Sequence, residues 1–204
     1  MHKNTKKPTM AIVGLGYVGL PLAIAFAKRG FYVIGFDISA HRVSELAGGK
    51  DYTGEVLPKD LTQKTLTYTT DVSKIKEADF VIVAVPTPVY ESKKPDLRPV
   101  QSASEIVGKN LKRGATVIYE STVWPGLTEE YCVPILEKYS NKTCGKDFFI
   151  AYSPERINPG DKKHTLQTIT KVVAGMNSAV CKKVAWLYRQ VCNAGVFEAA
   201  SIGK

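Results

Sequence analysis

The chain has 204 residues, of which 44% are hydrophobic, and this length suffices for one sizeable core. No apolar run approaches the roughly 18 residues that span a bilayer, so we expect no membrane partner. The net charge of +9 comes from scattered lysines without an aromatic stacking pattern. This argues against a nucleic-acid partner and favours attraction to an anionic nucleotide. We expect a flexible tail over residues 1–8 and a single domain over residues 9–204.

The four cysteines give no sign of a metal site. None pairs with another at CxxC spacing, and no histidine is placed to complete a zinc site. The basic amino terminus lacks the apolar stretch of a signal peptide. We therefore expect reduced thiols and a cytoplasmic protein.

The first predicted strand leads into the most informative motif of the chain. The apolar run Met10-Ala-Ile-Val13 ends at Gly14-x-Gly16-x-x-Gly19, and a helical pattern follows at once. In a dinucleotide site, the first glycine allows a tight turn, the second lets the backbone approach a pyrophosphate, and the third lets helix and strand pack closely. The diphosphate would lie against the free N–H groups and the positive dipole end of the new helix. We therefore predict a dinucleotide-binding turn.

The second predicted strand, Tyr32–Phe36, ends at Asp37. An acid about twenty residues beyond the glycines can accept hydrogen bonds from both ribose hydroxyls of an adenosine and would repel a 2′-phosphate, which favours NAD over NADP. Two alternatives stay open. The nearby Arg42 guanidinium could bind a 2′-phosphate, or Asp37 could merely cap the helix that starts near Ser39.

The rest of the chain alternates between strand and helix patterns, as expected of a parallel sheet. Helices are predicted over residues 39–49 and 71–77, up to about residue 111, from residue 125 to about 139, and over residues 179–191, and residues 50–62 are predicted to be a loop. Further strands are predicted over residues 65–69, 80–85, 115–119, 148–152 and 171–174. Together these elements predict an α/β fold, a Rossmann-type doubly wound parallel sheet with helices on both faces.

Polar residues follow the ends of four predicted strands. They are Asp37, Thr87, Ser121 with Thr122, and Glu155. Each alone could be structural, since threonines cap helices or occur in turns and Glu155 could be an exposed loop acid. Because ligands of doubly wound sheets collect outside the carboxyl ends of the strands, these residues together predict a shared site for a nicotinamide and its substrate.

A resemblance to a known family is carried by four segments: Gly14-Leu-Gly-Tyr-Val-Gly-Leu-Pro21, Val85-Pro-Thr-Pro88, Glu120-Ser-Thr-Val-Trp-Pro-Gly126 and Tyr152-Ser-Pro-Glu-Arg-Ile-Asn-Pro-Gly160. From about Thr9 onward, the chain resembles the UDP-glucose/GDP-mannose dehydrogenase family. Within the family, the chain resembles the 6-dehydrogenases of UDP-N-acetylglucosamine or UDP-N-acetylmannosamine in surface-polysaccharide synthesis. The Ser-Pro-Glu-Arg segment and the loop Asp51-Tyr-Thr-Gly-Glu-Val56 resemble those of the branch that acts on UDP-N-acetylglucosamine. UDP-glucose dehydrogenases tend instead to carry an Asn-Pro-Glu-Phe-Leu type of segment.

The resemblance implies an NAD-dependent oxidation of a sugar C6 alcohol to a carboxylate, in two steps that reduce two NAD and pass through a thiohemiacetal held on the enzyme. It also implies an NAD site made of the glycine turn and three strand ends, with the residues Gly14, Gly16, Tyr17, Val18, Gly19, Asp37, Arg42, Pro86, Thr87, Ser121 and Thr122. Thr122 would in addition position a catalytic water. Glu155 would assist proton transfer near C6 and thioester hydrolysis, and Glu155, Arg156, Ile157 and Asn158 would face the sugar nucleotide.

The chain departs from the family pattern in two ways that bear on activity. It lacks the Gly-Phe-Gly-Gly-x-Cys segment of the family's nucleophilic cysteine, and it lacks the Glu-Ala-x-x-Lys helix of the family's catalytic lysine and main dimer contact. We therefore expect the central and UDP-sugar-binding domains to be absent from this chain. On this interpretation the chain alone binds NAD without turnover, and the full-length protein forms a homodimer or a larger assembly.

Three alternatives stay open. The full-length protein could be a UDP-glucose 6-dehydrogenase. It could also be another NAD enzyme with a similar amino-terminal domain, such as a 3-hydroxyacyl or 6-phosphogluconate dehydrogenase, although the Pro-Glu-Arg loop and the Glu-Ser-Thr strand end argue against this. The chain could finally be a non-catalytic NAD-binding module.

Overall fold

The computed structural model describes residues 7–88, 95–121, 126–155 and 168–202. The strands within these ranges are β1 Thr9–Val13, β2 Tyr32–Phe36, β3 Leu66–Thr69, β4 Phe80–Val83, β5 Thr116–Tyr119, β6 Phe149–Tyr152, β7 Lys171–Gly175 and β8 Val196–Glu198. The helices are α1 Gly19–Lys28, α2 Ala40–Ala47, α3 Pro58–Leu61, a 3₁₀-helix over Val72–Glu77, α4 Arg98–Lys109, a π-helical turn over Thr128–Cys132 that continues into α5 Val133–Ser140, and α6 Ser178–Arg189. Most of the predicted tail, residues 1–6, lies outside the described residues.

The strands form one sheet in the order β3-β2-β1-β4-β5-β6-β7-β8. All neighbours from β3 to β6 are parallel, which confirms the predicted Rossmann-type class. The chain builds outward from β1 to β3 and then crosses to β4 on the other side of β1. Ligands of such sheets bind in the crevice at this reversal, outside the carboxyl ends of the strands. The candidate site is therefore expected beside the ends of β1 and β4.

The two faces of the sheet are covered by different helices. On β1, the side chains of Met10 and Ile12 belong to the core cluster that includes α1 and α6, and the intervening Ala11 and Val13 belong to the cluster that includes α4 and α5. Because side chains alternate along a strand, a strand covered on both faces must be apolar throughout. This explains the continuous apolar runs that predicted the central strands.

The sheet differs from the prediction in its last two strands. β7 runs antiparallel to β6, with Ala151 opposite Gly175 and Tyr152 opposite Ala174. β7 therefore begins at the carboxyl edge of the sheet, where β6 ends, and its first residue, Lys171, lies at the candidate site. β8 was not predicted, because it has only three residues and its Phe197 is 60% exposed. The short helix α3 lies inside the stretch predicted to be a loop.

Helix α6 depends on its N-cap. The Asn177 side chain accepts a hydrogen bond from the N–H of Val180 at 2.9 Å. We expect Asn177→Ala to lower the free energy of unfolding by about 1 kcal/mol, because a helix N–H loses its acceptor. Urea unfolding measures this change. Asn177→Ser, which restores a capping oxygen, should retain most of the stability, and equal losses in both variants would contradict the capping role.

Candidate cofactor-binding and active site

The turn after β1 is built on two glycines that lie against each other. Gly14 has a φ of +96°, a value that favours glycine, and its N–H donates to the carbonyl of Phe36 at 2.9 Å. A Cβ on Gly19 would lie 1.8 Å from the carbonyl oxygen of Gly14, and a Cβ on Gly14 would lie 2.9 Å from that of Ala84. Contacts within the protein therefore require glycine at both positions.

Gly16 is different, because apart from its own atoms and those of its two chain neighbours, no atom of the described residues lies within 4 Å of a Cβ built on it. The space above this residue is open, as the close approach of a pyrophosphate requires. Helix α1 begins three residues later. Its N-cap, Val18, makes no side-chain capping bond, and its first turn holds no acidic residue. The N–H groups and positive dipole end of α1 therefore suit an anion, and half-exposed Tyr17 lies on the same turn.

Asp37 is tied to the turns on both sides of it. Its Oδ2 accepts the N–H of Leu15 and its Oδ1 accepts the N–H of Ser39, both at 2.9 Å. Helix α2 is capped by Ser39, whose hydroxyl accepts the N–H of Arg42 at 3.2 Å. The alternative that Asp37 merely caps this helix is therefore wrong. Each carboxylate oxygen has a further lone pair with which it could accept a ribose hydroxyl.

Arg42 is buried beneath the same turn. Its Nε donates to the carbonyl of Leu15 at 2.9 Å, its Nη2 donates to Asp51 Oδ1 at 2.8 Å, and its guanidinium lies 4.2 Å from the ring centroid of Tyr52. Only 4% of the Arg42 side chain is exposed. A 2′-phosphate would therefore meet a buried guanidinium whose Nε and Nη2 are already engaged in protein contacts. This geometry favours NAD over NADP and indicates that Arg42 supports the glycine turn from below.

Asp51 completes this support. Burial raises the pKa of the Asp51 carboxyl, but the hydrogen bonds from Thr53 and Arg42 outweigh burial, so the pKa lies below its usual value. Asp51 is therefore ionised at neutral pH and balances the Arg42 charge. Through this pair, the loop that begins at Asp51 is attached to the glycine turn.

Ser121 joins the ends of β4 and β5. Its hydroxyl donates to the carbonyl of Val85 at 2.7 Å. Pro86 and Thr87 therefore follow β4 beside Ser121, and they neighbour the glycine turn because β4 lies between β1 and β5. The remaining predicted residue at this strand end, Thr122, lies outside the described residues.

Glu155 follows the end of β6 and pairs with Lys171. The Lys171 Nζ lies 3.2 Å from Glu155 Oε2, and only 9% of the Glu155 side chain is exposed. The alternative that Glu155 is an exposed loop acid is therefore wrong. The other predicted substrate residues, Arg156, Ile157 and Asn158, lie outside the described residues.

The order of the strands aligns the predicted site residues along one edge. From β2 to β6 the strand ends carry, in spatial order, Asp37, the glycine turn, Pro86 with Thr87, Ser121 and Glu155. Since neighbouring strands lie about 4.8 Å apart, the four steps span roughly 19 Å. An extended ligand could therefore contact all of them at once, and the described members of the predicted set lie at one edge of the sheet.

A buried charged group beneath this edge was not predicted. Lys171 Nζ lies 2.8 Å from Glu120 Oε2, and the hydroxyl of Tyr188 donates to Glu120 Oε1. Burial lowers the pKa of Lys171, but Glu120 and Glu155 outweigh burial and raise it above its usual value. Burial also raises the pKa of Glu120. A sequence signal did exist, because both charged residues directly adjoin apolar strand patterns.

The buried cysteines are poor candidates for a nucleophile. Burial raises the pKa of the Cys132 and Cys192 thiols to about 11, which disfavours the reactive thiolate. Across the described ranges, no group of three or more histidine, cysteine, aspartate or glutamate residues could hold a metal ion. None of the helices described is both long and apolar enough to cross a membrane.

Two curated relatives illustrate the sequence similarity. The chain is 54% identical over 193 residues to protein CapL of Staphylococcus aureus, covering 95% of this chain and 45% of CapL. It is 50% identical over 194 residues to the UDP-N-acetyl-D-glucosamine 6-dehydrogenase of Pseudomonas aeruginosa, covering 95% of this chain and 46% of that enzyme. The chain thus spans about half the length of the curated relatives that it matches.

Solved structures share the fold at similar coverage. The NDP-N-acetyl-D-galactosaminuronic acid dehydrogenase of Methanosarcina mazei superposes with a TM-score of 0.89 at 30% identity, over 97% of this chain and 45% of that one. The UDP-D-ManNAc dehydrogenase of Pyrococcus horikoshii superposes with a TM-score of 0.86 at 31% identity, over 95% of this chain and 47% of that one.

The family assignment rests on most of the chain. Residues 8–192 match the model of the NAD-binding domain of the UDP-glucose/GDP-mannose dehydrogenase family. This match includes the glycine turn, Asp37, both strand ends at Thr87 and Ser121, and Glu155. The chain therefore belongs to the UDP-glucose/GDP-mannose dehydrogenase family and carries its NAD-binding domain.

Proposed function

We propose that the natural gene product containing this chain is an NAD-dependent dehydrogenase that oxidises the C6 alcohol of UDP-N-acetylglucosamine to the uronic acid. The observation that carries this proposal is the line of site residues from Asp37 to Glu155 along one edge of the sheet. One end of this line suits an adenosine diphosphate, and the other end presents a carboxylate to a reacting alcohol.

The choice of sugar is supported by the relatives. Two relatives named UDP-N-acetyl-D-glucosamine 6-dehydrogenase are 48% and 50% identical to this chain. Relatives named UDP-N-acetyl-D-mannosamine dehydrogenase are 33% to 35% identical. The higher similarity to the first group favours UDP-N-acetylglucosamine over its C2 epimer.

The proposed chemistry divides between the two ends of the site. The glycine turn and the start of α1 hold the diphosphate of NAD, and Asp37 accepts the hydroxyls of its adenosine ribose. Thr87 and Ser121 lie where the nicotinamide ribose is expected. NAD, when bound, supplies the hydride acceptor. We assign to Glu155 the removal of a proton from the C6 alcohol.

Part of the proposed machinery is assigned to residues that are not described. Thr122 is proposed to position water, and Arg156, Ile157 and Asn158 are proposed to contact the sugar nucleotide. We also propose that the enzyme works in the cytoplasm as a homodimer or a larger assembly. The four free cysteines, three of them buried, suit the reducing conditions of that compartment.

The activity is tested by incubating the natural gene product with NAD and UDP-N-acetylglucosamine. We expect NADH and the corresponding uronic acid to form together, and UDP-N-acetylmannosamine and UDP-glucose to react more slowly. The 204-residue chain alone should bind NAD by calorimetric titration without forming NADH. Absence of turnover by the natural gene product with all three sugars would overturn the proposed activity.

Substitutions in the glycine turn can distinguish an effect on NAD binding from an effect on folding. We expect Gly16→Ala to weaken NAD binding by roughly tenfold to a hundredfold, because the new Cβ enters the space of the pyrophosphate at a cost of about 1–3 kcal/mol. The melting temperature should stay close to that of the unchanged chain, since the Cβ meets no described atom within 4 Å apart from those of Gly16 and its two chain neighbours. Titration calorimetry and thermal unfolding measure the two effects.

Gly19→Ala is the matched comparison for Gly16→Ala. Its Cβ would lie 1.8 Å from the Gly14 carbonyl oxygen, so we expect a clear fall in melting temperature. A Gly16→Ala chain that binds NAD as tightly as the unchanged chain would contradict the assignment of the pyrophosphate to this turn.

Asp37 sets the choice between NAD and NADP. We expect Asp37→Asn to weaken NAD binding by about tenfold, because hydrogen bonds to a charged acceptor contribute roughly 1.5–3 kcal/mol. Binding of NADP relative to NAD should improve, because the repulsion of the 2′-phosphate is removed. Competition titrations with both dinucleotides measure the ratio.

Asp79→Asn is the control for charge removal. Asp79 also accepts a backbone N–H, that of Thr9, but it lies at the start of β4, on the opposite edge of the sheet. This variant should leave the NAD to NADP ratio unchanged. An equal change of the ratio in both variants would show that net charge, not the position of Asp37, determines the preference.

A further inference from the structure

We propose that Lys171 is a positioning residue that holds the Glu155 carboxylate at the sheet edge, and that Glu120 and Tyr188 hold Lys171 in turn. This inference rests on the proposed function, in which Glu155 takes a proton from the substrate. The juxtaposition that carries it is a single ammonium between two carboxylates, at 2.8 Å from Glu120 and 3.2 Å from Glu155.

The fold delivers these groups from three neighbouring strand ends. Glu120 follows β5, Glu155 follows β6, and Lys171 begins β7. The antiparallel direction of β7 is essential, because a parallel strand would place its first residue at the opposite edge. The hydroxyl of Ser153 donates to the carbonyl of Val172 at 2.8 Å, which fastens the end of β6 to β7 beside the ion pair.

Burial makes this contact more than a surface ion pair. The exposed fractions of the Lys171, Glu120 and Glu155 side chains are 7%, 1% and 9%. A buried ammonium is costly unless it is paired and hydrogen-bonded. If the Glu155 carboxylate moved away, it and Lys171 would lose a charge-assisted hydrogen bond in a place with little water to replace it, whereas an exposed pair exchanges its partners with water at little cost.

Helix α6 contributes Tyr188, which contacts both Glu120 and Lys171. Tyr188 donates its hydroxyl hydrogen to Glu120, and its ring centroid lies 5.6 Å from Lys171 Nζ. Glu120 is thus held by a tyrosine and a lysine, and it has little freedom to move. Glu120 in turn holds the ammonium through the 2.8 Å contact with its Oε2. Two charge-assisted hydrogen bonds, from Lys171 to Glu120 and from Lys171 to Glu155, therefore connect Glu155 to side chains that are fixed in the core.

A fixed carboxylate matters for the proposed reaction. A general base must lie within hydrogen-bond reach of the proton that it removes, and a misplacement of 1 Å can slow a reaction by about a hundredfold. Catalytic groups are usually held by neighbours that are themselves held by the fold. Lys171 and Glu120 are placed to do this for Glu155.

The contact by which Lys171 holds Glu155, called the tether below, is tested first on the 204-residue chain, without any activity assay. Carbodiimide labelling with mass spectrometry reports how accessible each carboxylate is. We expect labelling of Glu155 to rise several-fold in Lys171→Met, and Lys171→Arg to restore protection because a guanidinium can still pair with carboxylates. Labelling of Asp71, which lies away from the group, serves as the internal reference.

Two further variants keep this test decisive. Lys171→Met takes one cation away from two buried carboxylates and can destabilise the chain. The variant Lys171→Met/Glu120→Gln removes the Lys171–Glu120 ion pair as a unit and therefore favours a folded chain. Lys183→Met is the matched control, because Lys183 also lies against the sheet, with its Nζ 4.7 Å from the Phe80 ring centroid, but at the opposite edge. It should leave Glu155 labelling unchanged. Unchanged Glu155 labelling in the double variant would overturn the tether.

The catalytic consequence is then measured in the natural gene product with UDP-N-acetylglucosamine. We expect the double variant to lower kcat by roughly tenfold to a hundredfold with little change in the KM for NAD, and Lys171→Arg to recover much of the loss. A purely structural role would instead raise KM and lower the melting temperature together. An unchanged kcat despite increased labelling would overturn the positioning role.

If the unsubstituted protein forms no NADH, the proposed function fails, and the labelling result still decides whether Lys171 holds Glu155.

Discussion

The site depends on how closely α1 approaches the turn that follows β1. With a Cβ on Gly19 only 1.8 Å from the Gly14 carbonyl oxygen, the helix can begin where it does only because both residues are glycine. This contact places the start of α1 at the crevice between β1 and β4. The Gly14 N–H bond to Phe36 and the Asp37 bond to Leu15 attach the end of β2 to the same turn. The end of the site that we propose for adenosine is therefore one hydrogen-bonded unit.

Much of this end could be predicted because its signals are local. The spacing of Gly14, Gly16 and Gly19 reports backbone geometry directly, and the acid at the end of the next strand follows from the length of one strand–helix–strand unit. The apolar runs of β1 and β4 identified central strands, because a strand covered on both faces cannot alternate. Parallel strands also share one carboxyl edge, so the line from Asp37 to Glu155 followed from the strand pattern alone.

The parts that escaped prediction depend on contacts between distant segments. Lys171 meets Glu120 across 51 positions of the chain, and the pairing depends on the antiparallel direction of β7, which no local pattern encodes. The assignment of Arg42 to the cofactor site stays a prediction, but its burial against Asp51 and Tyr52 could not be read from its type or spacing. For both Lys171 and Arg42, the sequence did not show which acidic side chain pairs with the buried positive charge.

The two ends of the site therefore use charge differently. Beneath the adenosine end, Arg42 and Asp51 form a balanced pair, so the turn above can present its N–H groups without a competing net charge. Beneath the edge at which we propose that a proton is removed, the Lys171 ammonium lies within hydrogen-bond distance of two carboxylates, those of Glu120 and Glu155. Well-packed apolar residues would often stabilise a core as much as a buried ion group does. Stability alone therefore does not explain three charged side chains beside the carboxyl edge of β5, β6 and β7, whereas the proposed need to fix the Glu155 carboxylate would explain them.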